Sequence, residues 1–522
     1  MSSTVWKNGR FITLDPLKPR VEAIVVRDGE IAFTGEAGEA LARAGEGAGV
    51  RDLGGRCVVP GFNDNHVHAL ILGDHALAPD LGGLDGPGIV TLLRERFAAA
   101  PAGQILMAYN WDYPACPNPR KELLDEAFPR NPVMLSQFSG HAQWLSSQAL
   151  RAIGITKESR DPPIGQVLRD ADGEPTGIVR DLGDTALLKR RFHGVFFNRN
   201  LREQRLALAL DTFRRFGITS VQDNAWFYPE LFSLARLRRA GKLSLRFTTW
   251  SLGRNPWTTP AMRFVGALGG FDRDWVRAGP VKYFLDGAFS TRTACLCEPY
   301  ADDPGGGLCA DPAAPTAELE FLARKGLQGA FHIIGDRGIA LFLDAVEEAR
   351  ARHPDLGRLR IRIEHAQLIR ERDIPRLRDL GILVAAQPSA LGSPEKDERL
   401  LGPRRARRAY AYRSLLDAGV QLSFGSDIPG EATCDPLLSI HMAVNREGPE
   451  RISPLEALRC YTVGSAYAEF MEERKGMLRP GMLADFAVLS DDLTEIPPGR
   501  IKEIRVEETV VGGRSVYSRE AE

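Results

Sequence analysis

Short apolar runs alternate with helical patterns along the middle of the chain. Ten runs have the length and composition of strands: residues 57–60, 105–109 and 133–136, and runs that begin near Ile218, Leu245, Val281, Ala330, Ile361, Ile382 and Leu422. Between several of these runs, apolar residues recur at the spacing of an amphipathic helix, as over residues 201–216. Strands that alternate with helices predict βα units and a parallel sheet.

The number of strands exceeds what a (β/α)8 barrel needs by two. Both surplus runs, 105–109 and 133–136, lie in the interval of about 150 residues between His68 and Ile218, which is far longer than one βα unit. We therefore predict an α/β fold, a TIM-like (β/α)8 barrel with an insertion between its first and second strands. The insertion is expected over about residues 75–200.

Both ends of the chain have the sequence pattern of short strands joined by turns. Asn-Gly at residues 8–9 and Asp-Gly at residues 28–29 each separate two apolar runs, the strongest short signal for a β-hairpin. Residues 484–489 and 506–511 are similar. We predict one small β-sandwich domain built from both termini rather than two unrelated strand caps. The predicted boundaries are 1–58 and 475–522 for this domain and 59–474 for the barrel.

Two helices carry clear end signals. The pattern over residues 201–216 ends at Gly217, a residue suited to the end of a helix. Residues 453–456 form a capping box with proline at the first helical position, which predicts a helix that continues towards Met471.

Composition narrows the class of protein. Among 522 residues, 67 Lys and Arg balance 68 Asp and Glu, so the net charge of −1 offers no basic excess for a nucleic-acid partner. No run of 18 apolar residues is available to span a membrane, and the first residues lack the apolar stretch of a signal peptide. Because the seven cysteines are few and scattered, we expect thiols and a reducing, cytoplasmic location.

Candidate chemistry begins with His66 and His68, at the end of the first predicted barrel strand. Alternation along a strand points both imidazoles to one face, where they can grip a divalent metal. Four further candidates follow at the ends of later strands: Lys282, His332, His365 and Asp427. The successive separations of these four are 50, 33 and 62 residues. With roughly thirty residues per βα unit, the candidates fall on strands one, four, five, six and eight.

The phrases around these residues resemble those of the amidohydrolase superfamily, and more closely the amidohydrolase family 3 branch of YtcJ-type proteins, which includes N-substituted formamide deformylases. The matching phrases are at residues 60–68, 139–141, 148–150, 282–287, 291–294, 298–300, 332–337, 364–367 and 425–429. They span nearly the whole chain in order, so the combination is specific.

This resemblance implies a binuclear metal centre. The implied ligands of the first ion are His66, His68 and Asp427, and those of the second ion are His332 and His365. Lys282, carboxylated by CO₂ to a carbamate, would bridge both ions; a single-metal site without the carbamate stays open. Imidazole and carboxylate donors suit zinc, with iron, manganese and nickel as alternatives. A homodimer is implied by the resemblance alone.

The implied reaction is hydrolysis of a carbon–nitrogen bond in an amide or N-substituted formamide, a small-molecule substrate. Hydroxide formed from metal-bound water attacks the carbonyl, and Asp427 passes the proton to the leaving amine as general acid/base. His141, in the insertion, and Arg292 are candidates for contacting the substrate, with a structural role as the alternative for each.

Two other functions remain open. The first is deamination of a cyclic amidine, for which related enzymes place a glutamate three residues after the strand-five histidine; here that residue is Gly335. The second is a non-catalytic regulatory barrel, which would have no need to retain all six candidate ligands. Both observations favour the hydrolase.

Overall fold

The barrel is a single sheet of eight parallel strands in chain order. A computed structural model describes residues 3–161, 165–180, 198–225, 229–253, 274–303, 315–392 and 394–521. The barrel strands are β1 (Phe62–Val67), β2 (Ile218–Asp223), β3 (Arg246–Leu252), β4 (Val276–Phe284), β5 (Gly329–Ile333), β6 (Arg362–His365), β7 (Leu383–Ala386) and β8 (Leu422–Phe424). Helices follow the strands, so the predicted barrel is confirmed.

Hydrogen bonds beyond the end of β8 close the sheet. Val67 forms a parallel bridge with Ile428. The Asp427 N–H donates to the His66 carbonyl at 2.7 Å, and the His68 N–H donates to the Ile428 carbonyl at 2.9 Å. The first strand therefore meets the chain that follows the last strand at the carboxyl end of the barrel.

The start of the barrel differs from the prediction. The apolar run Cys57–Pro60, expected as the first barrel strand, is a strand of the terminal domain that pairs antiparallel with Phe486–Leu489. The barrel begins after Gly61, where the chain passes from one sheet to the other. A β-carbon at Gly61 would lie 2.2 Å from the Thr219 hydroxyl, so this crossing needs glycine.

Both surplus strands belong to a separate five-stranded sheet, which confirms an insertion between β1 and β2. In sheet order its strands are Gln166–Arg169, Pro175–Arg180, Ala142–Leu145, Val133–Gln137 and Leu106–Trp111. Trp111 and Trp144 lie in an apolar core that this sheet forms with its own helices. The bounds of 75–200 stay a prediction, because residues 162–164 and 181–197 lie outside the described residues.

The terminal segments form two sheets over a shared core. In order, the four-stranded sheet contains Glu30–Gly35, Ala23–Arg27, Ser3–Lys7 and Gly49–Asp52, and the six-stranded sheet contains Arg514–Ser518, Val506–Val511, Phe486–Leu489, Cys57–Pro60, Arg10–Ile12 and Arg20–Val21. Trp6, Phe11, Val58 and Phe486 meet in one apolar cluster between them. Strands from both termini thus build one β domain.

Of the two predicted hairpins, one is confirmed. A two-residue hairpin turn of type I′ needs positive φ at both central residues. Asp28 and Gly29 have φ of 52° and 87°, and the flanking strands pair antiparallel. At residues 8–9 only Asn8 has positive φ, and the flanking strands lie in different sheets, so the prediction of a hairpin there was wrong.

The helix signals agree with the structure. The pattern that ends before Gly217 forms the helix Arg199–Arg215, and Ser453 and Glu456 form the capping box of Pro454–Arg459. The other α-helices in the described ranges are Ala37–Ala44, Ala69–His75, Gly86–Arg96, Lys121–Ala127, Ser147–Ile153, Pro229–Arg239, Thr316–Lys325, Asp336–Arg352, Ile374–Leu380, Pro394–Leu401, Pro403–Ala406, Tyr412–Asp417, Pro436–Asn445 and Ser465–Ala468. Shorter turns of 3-10 helix are Pro354–Leu359, Glu371–Asp373, Pro388–Gly392, Pro498–Glu503 and Arg519–Ala521, and Cys460–Gly464 is a π-helical turn.

One cysteine departs from the expectation of thiols. Cys295 is disulfide-bonded, whereas Cys297 is a free, exposed thiol. The four other free thiols in the described part of the chain are buried: Cys57, Cys116, Cys434 and Cys460. Sequence spacing did not indicate the disulfide, because whether two cysteines come together depends on the fold. Across the described ranges, no helix combines the length and apolar character that crossing a membrane requires.

A buried ion pair joins the barrel to the terminal domain. Arg246 opens β3, and Asp485 precedes the strand Phe486–Leu489; their side chains are 3% and 4% exposed. The Arg246 Nη2 donates to Asp485 Oδ1 at 2.9 Å, and Nε donates to Oδ2 at 2.5 Å. The same carboxylate accepts the Gly512 N–H at 2.8 Å.

We predict that Asp485→Asn lowers the free energy of unfolding by about 3 kcal/mol, because it leaves a buried guanidinium without its counter-charge. Glu503→Gln is the matched control: it removes a solvent-screened, exposed pair with Arg500, so we expect little change in stability. Thermal unfolding followed by circular dichroism measures both. Equal transition temperatures for the two variants would contradict the role of the buried pair.

Candidate metal centre

His66 and His68 form one wall of the site at the carboxyl end of β1. Residues two apart in an extended segment face the same side, and the two imidazole centroids lie 5.5 Å apart. The His66 Nδ1 lies 2.7 Å from Glu364 Oε2. This contact fixes the ring and leaves His66 Nε2 facing the centre of the site.

Asp427 completes a compact donor set with these histidines. Its Oδ1 lies 3.1 Å from His68 Nε2 and 3.4 Å from His66 Nε2. One ligand atom from each of the three residues falls within 4.8 Å of the others. Two imidazoles and a carboxylate are donors that divalent transition metals accept, so these residues fit the metal that the sequence predicts.

The remaining three candidates converge on the same place. The Lys282 Nζ lies 3.3 Å from His66 Nε2. The ring centroids of His332 and His365 are 4.3 Å apart, and the His365 ring is 5.3 Å from that of His66. Strands four, five and six therefore bring their buried residues beside those of strands one and eight, of which His68 and Asp427 are half-buried.

Burial sets the protonation of the site. It lowers the pKa of His66, His332 and His365 well below the usual range, so these rings are neutral, the form that binds metals. Burial also lowers the pKa of Lys282 to about 8. For Asp427 burial opposes ionisation, but the hydrogen bond from His68 and the charge of Lys282 outweigh it and hold the pKa of this carboxyl well below its usual range.

Two residues that orient the histidines were missed by sequence reasoning. Glu364, on β6, accepts from the Arg362 Nε at 2.6 Å while its other oxygen faces His66. Gln387 Oε1 lies 2.8 Å from His365 Nδ1. A carboxylate directly before His365 in a buried strand was the available signal for Glu364, whereas Gln387 carries no local signal.

The backbone is strained where the strands end at the site. His365, Ala366 and Asp427 have φ of 75°, 47° and 57°, a region that costs residues other than glycine free energy. The Asp427 N–H bond to His66 and the Ala366 N–H bond to the Ile333 carbonyl at 2.9 Å hold this geometry. The left-handed conformation at these residues changes the direction of the chain, so that the segments that carry the candidate ligands face the mouth of the barrel.

The two predicted substrate contacts differ in position. The half-buried His141, from the insertion, has its ring 5.1 Å from that of His332. Ser139 of the insertion accepts a hydrogen bond from the Ser290 hydroxyl at 3.2 Å. Arg292 instead forms a bidentate ion pair with Asp302, at 2.7 and 3.1 Å. Substrate contact by His141 and Arg292 stays a prediction.

Several known proteins are similar to this chain in sequence or in fold. A model of the amidohydrolase family matches residues 49–517. YtcJ of Bacillus subtilis (strain 168) is 30% identical, covering 99% of each chain, and the N-substituted formamide deformylase of Arthrobacter pascens is 28% identical, covering 98% of each. The crystal structure of an uncharacterized metal-dependent hydrolase from Pyrococcus furiosus is 28% identical, has a TM-score of 0.72, and matches over 95% of this chain and 100% of that one.

The family match extends over the barrel, the insertion and about half of the terminal domain, and it includes every residue of the histidine, lysine and aspartate group. The chain therefore belongs to the amidohydrolase family and is a metal-dependent hydrolase of carbon–nitrogen bonds.

Proposed function

We propose that the protein hydrolyses an amide or N-substituted formamide with two divalent ions, zinc first among the candidates. The convergence of four imidazoles, one lysine and one aspartate at the mouth of the barrel carries this proposal. The small-molecule substrate, the cytoplasmic location, a homodimeric assembly and the domain boundaries at 58 and 475 belong to the same proposal.

The metal ligands divide into two sets. In this proposal the first ion is held by His66, His68 and Asp427, and the second by His332, His365 and Lys282. When bound, the ions polarise the scissile carbonyl and lower the pKa of a water molecule to about 7. Iron, manganese and nickel share these donors and are tested beside zinc.

Lys282 joins the two sets after reaction with CO₂. Its neutral amine attacks the carbon of CO₂, an N–C bond forms, and one proton leaves to solvent, which gives an anionic carbamate with two oxygens. A free ammonium cannot bind a cation, whereas these oxygens can reach two. The pKa of about 8 that burial gives Lys282 supports this step, because it raises the neutral fraction of the amine.

Asp427 moves the proton in this reaction. Its depressed pKa keeps it ionised at neutral pH, so its carboxylate accepts a proton from the attacking water. Once protonated it is a strong acid and gives that proton to the nitrogen of the leaving amine. The contact of Oδ1 with His68 Nε2 at 3.1 Å holds the carboxylate in position.

Amide hydrolysis is favoured over deamination by the residue three positions after His332. A β-carbon at Gly335 would lie 2.0 Å from the Cys295 carbonyl oxygen, so the space beside this backbone is filled. The glutamate that related deaminases carry there has no room to replace it.

We expect the metal-loaded protein to release formate from N-substituted formamides, or a carboxylic acid from N-acyl amines, in a panel of such substrates. Removal of the metal with the chelator dipicolinate should abolish this hydrolysis.

Asp427→Asn should lower kcat by about 10²–10⁴-fold, while the protein keeps most of its bound metal, as measured by mass spectrometry. Asp417→Asn, which alters an exposed pair with Arg413, is the control. Near-normal turnover in Asp427→Asn removes its role in proton transfer.

Glu364→Gln should weaken metal binding by about 10–100-fold, because an amide oxygen holds the His66 ring less strongly than a carboxylate does. Competition with a chromophoric chelator measures the affinity. The exposed Glu371→Gln is the matched control. An unchanged affinity in Glu364→Gln would show that His66 needs no support from β6.

Lys282→Met should reduce bound metal from about two equivalents to about one, because the bridging oxygens are lost while His66, His68 and Asp427 remain. Metal analysis after dialysis in bicarbonate buffer measures the stoichiometry. Wild-type protein dialysed without CO₂ should show the same loss and regain the metal when bicarbonate is added. Two equivalents in Lys282→Met would exclude the carbamate bridge.

A further inference from the structure

A cavity of about 640 Å³ lies beside the helix Asp336–Arg352 and the segment that follows β6. None of the six candidate metal ligands lines it, so it is separate from the metal centre. Its charged lining residues are Arg337, Arg370, Arg372, Arg376, Asp344 and Asp373. This volume falls in the range of small-molecule sites.

The two carboxylates of the cavity are already paired. Arg376 bonds Asp344 at 2.6 Å and Asp373 at 3.2 Å, and it also bonds Glu347, outside the lining, at 2.9 Å. Arg370 bonds the other oxygen of Asp373 at 2.5 Å. Every lining carboxylate is therefore neutralised by these two guanidinium groups.

The other two guanidinium groups have no such partner. Among the described residues, the guanidinium group of neither Arg337 nor Arg372 forms an ion pair or a hydrogen bond. Arg337 is half-buried and Arg372 is exposed. Two unpaired guanidinium groups in one concave wall create a positive potential and offer up to ten N–H donors, an arrangement that recognises phosphate and carboxylate groups.

The backbone that carries Arg337 is held firmly. The N–H groups of Arg337 and Gly338 donate to the Cys295 carbonyl at 3.1 and 3.2 Å. The carboxylate of Asp286 accepts the N–H groups of Gly335 and Cys295 at 2.8 and 3.0 Å. The backbone at Arg337 therefore loses little further freedom when a ligand binds. These N–H groups are occupied, so the ligand contacts fall to the side chains.

We infer that this cavity binds a small molecule with a dianionic oxyanion group, a phosphate monoester or a dicarboxylate, through Arg337 and Arg372. The volume leaves room for an organic part beyond the anion. Nothing in this inference depends on the metal centre or on the reaction proposed there.

The cavity contains its own reporter, because the exposed thiol of Cys297 lines the same wall. We would measure the rate at which N-ethylmaleimide alkylates Cys297 in the full-length protein by peptide mass spectrometry. Inorganic phosphate and malonate are titrated at constant ionic strength with chloride as the balancing anion. We expect both anions to slow the alkylation of Cys297 in a saturable way. Tighter binding of phosphate than of malonate would identify the ligand as a phosphate ester, and tighter binding of malonate would identify it as a dicarboxylate.

The double variant R337Q/R372Q should weaken protection at least roughly tenfold, since each charge-assisted contact is lost. R324Q/R358Q removes two exposed arginines outside the cavity and should leave the protection unchanged. If the double variant does not fold, R372Q alone, at an exposed position, should still weaken binding. Absence of saturable protection in the wild type, or equal protection in R337Q/R372Q, overturns the inference.

Discussion

The closure of the barrel is the constraint on which the metal centre depends. His68 and Asp427 are 359 residues apart, yet their side chains lie 3.1 Å from each other. They meet because the Asp427 N–H bonds the His66 carbonyl and the His68 N–H bonds the Ile428 carbonyl. These backbone bonds are made by the ligand-bearing residues and their neighbours, so the step that closes the sheet also assembles the donor set. A barrel left open at this seam would keep the histidines of β5 and β6 but lose the group with Asp427.

Burial then gives the assembled residues their chemistry. In water these imidazoles would be partly protonated near neutral pH, but within the barrel desolvation keeps them neutral. A neutral ring needs a partner to fix which nitrogen faces the metal, and Glu364 and Gln387 provide it for His66 and His365. Glu364 in turn needs the Arg362 guanidinium beside it, because an unpaired buried carboxylate is costly. The residues that hold the candidate ligands in place therefore include side chains two contacts away, since Arg362 holds Glu364 and Glu364 holds His66.

Much of this arrangement could be predicted from the sequence, because it depends on the alternation of strands with helices and on the number of residues between the candidate ligands. The interval between β5 and β6 is one βα unit, so His332 and His365 had to occupy neighbouring strand ends. The predictions that were wrong concerned features set by the local backbone conformation or by contacts between distant parts of the chain. Residues 8–9 have the composition of a hairpin, but only Asn8 takes positive φ, and the chain crosses between sheets. Apolar character could not tell whether Cys57–Pro60 joined the barrel or the terminal domain, since both bury it.

The insertion and the turn after β5 both place residues beside His332. The ring of His141, from the insertion, lies 5.1 Å from that of His332, so a segment outside the barrel borders the candidate metal ligands. At the turn after β5, Asp286 accepts the Ile334 N–H at 2.9 Å and the Gly335 N–H, while the next residue, Gly287, offers its carbonyl to His332 Nε2 at 3.2 Å. The orientation of His332 and the position of the turn therefore share one buried carboxylate. Arg337, which lines the outer cavity, lies two residues after Gly335, so the backbone that Asp286 holds borders both the cavity and the candidate metal centre.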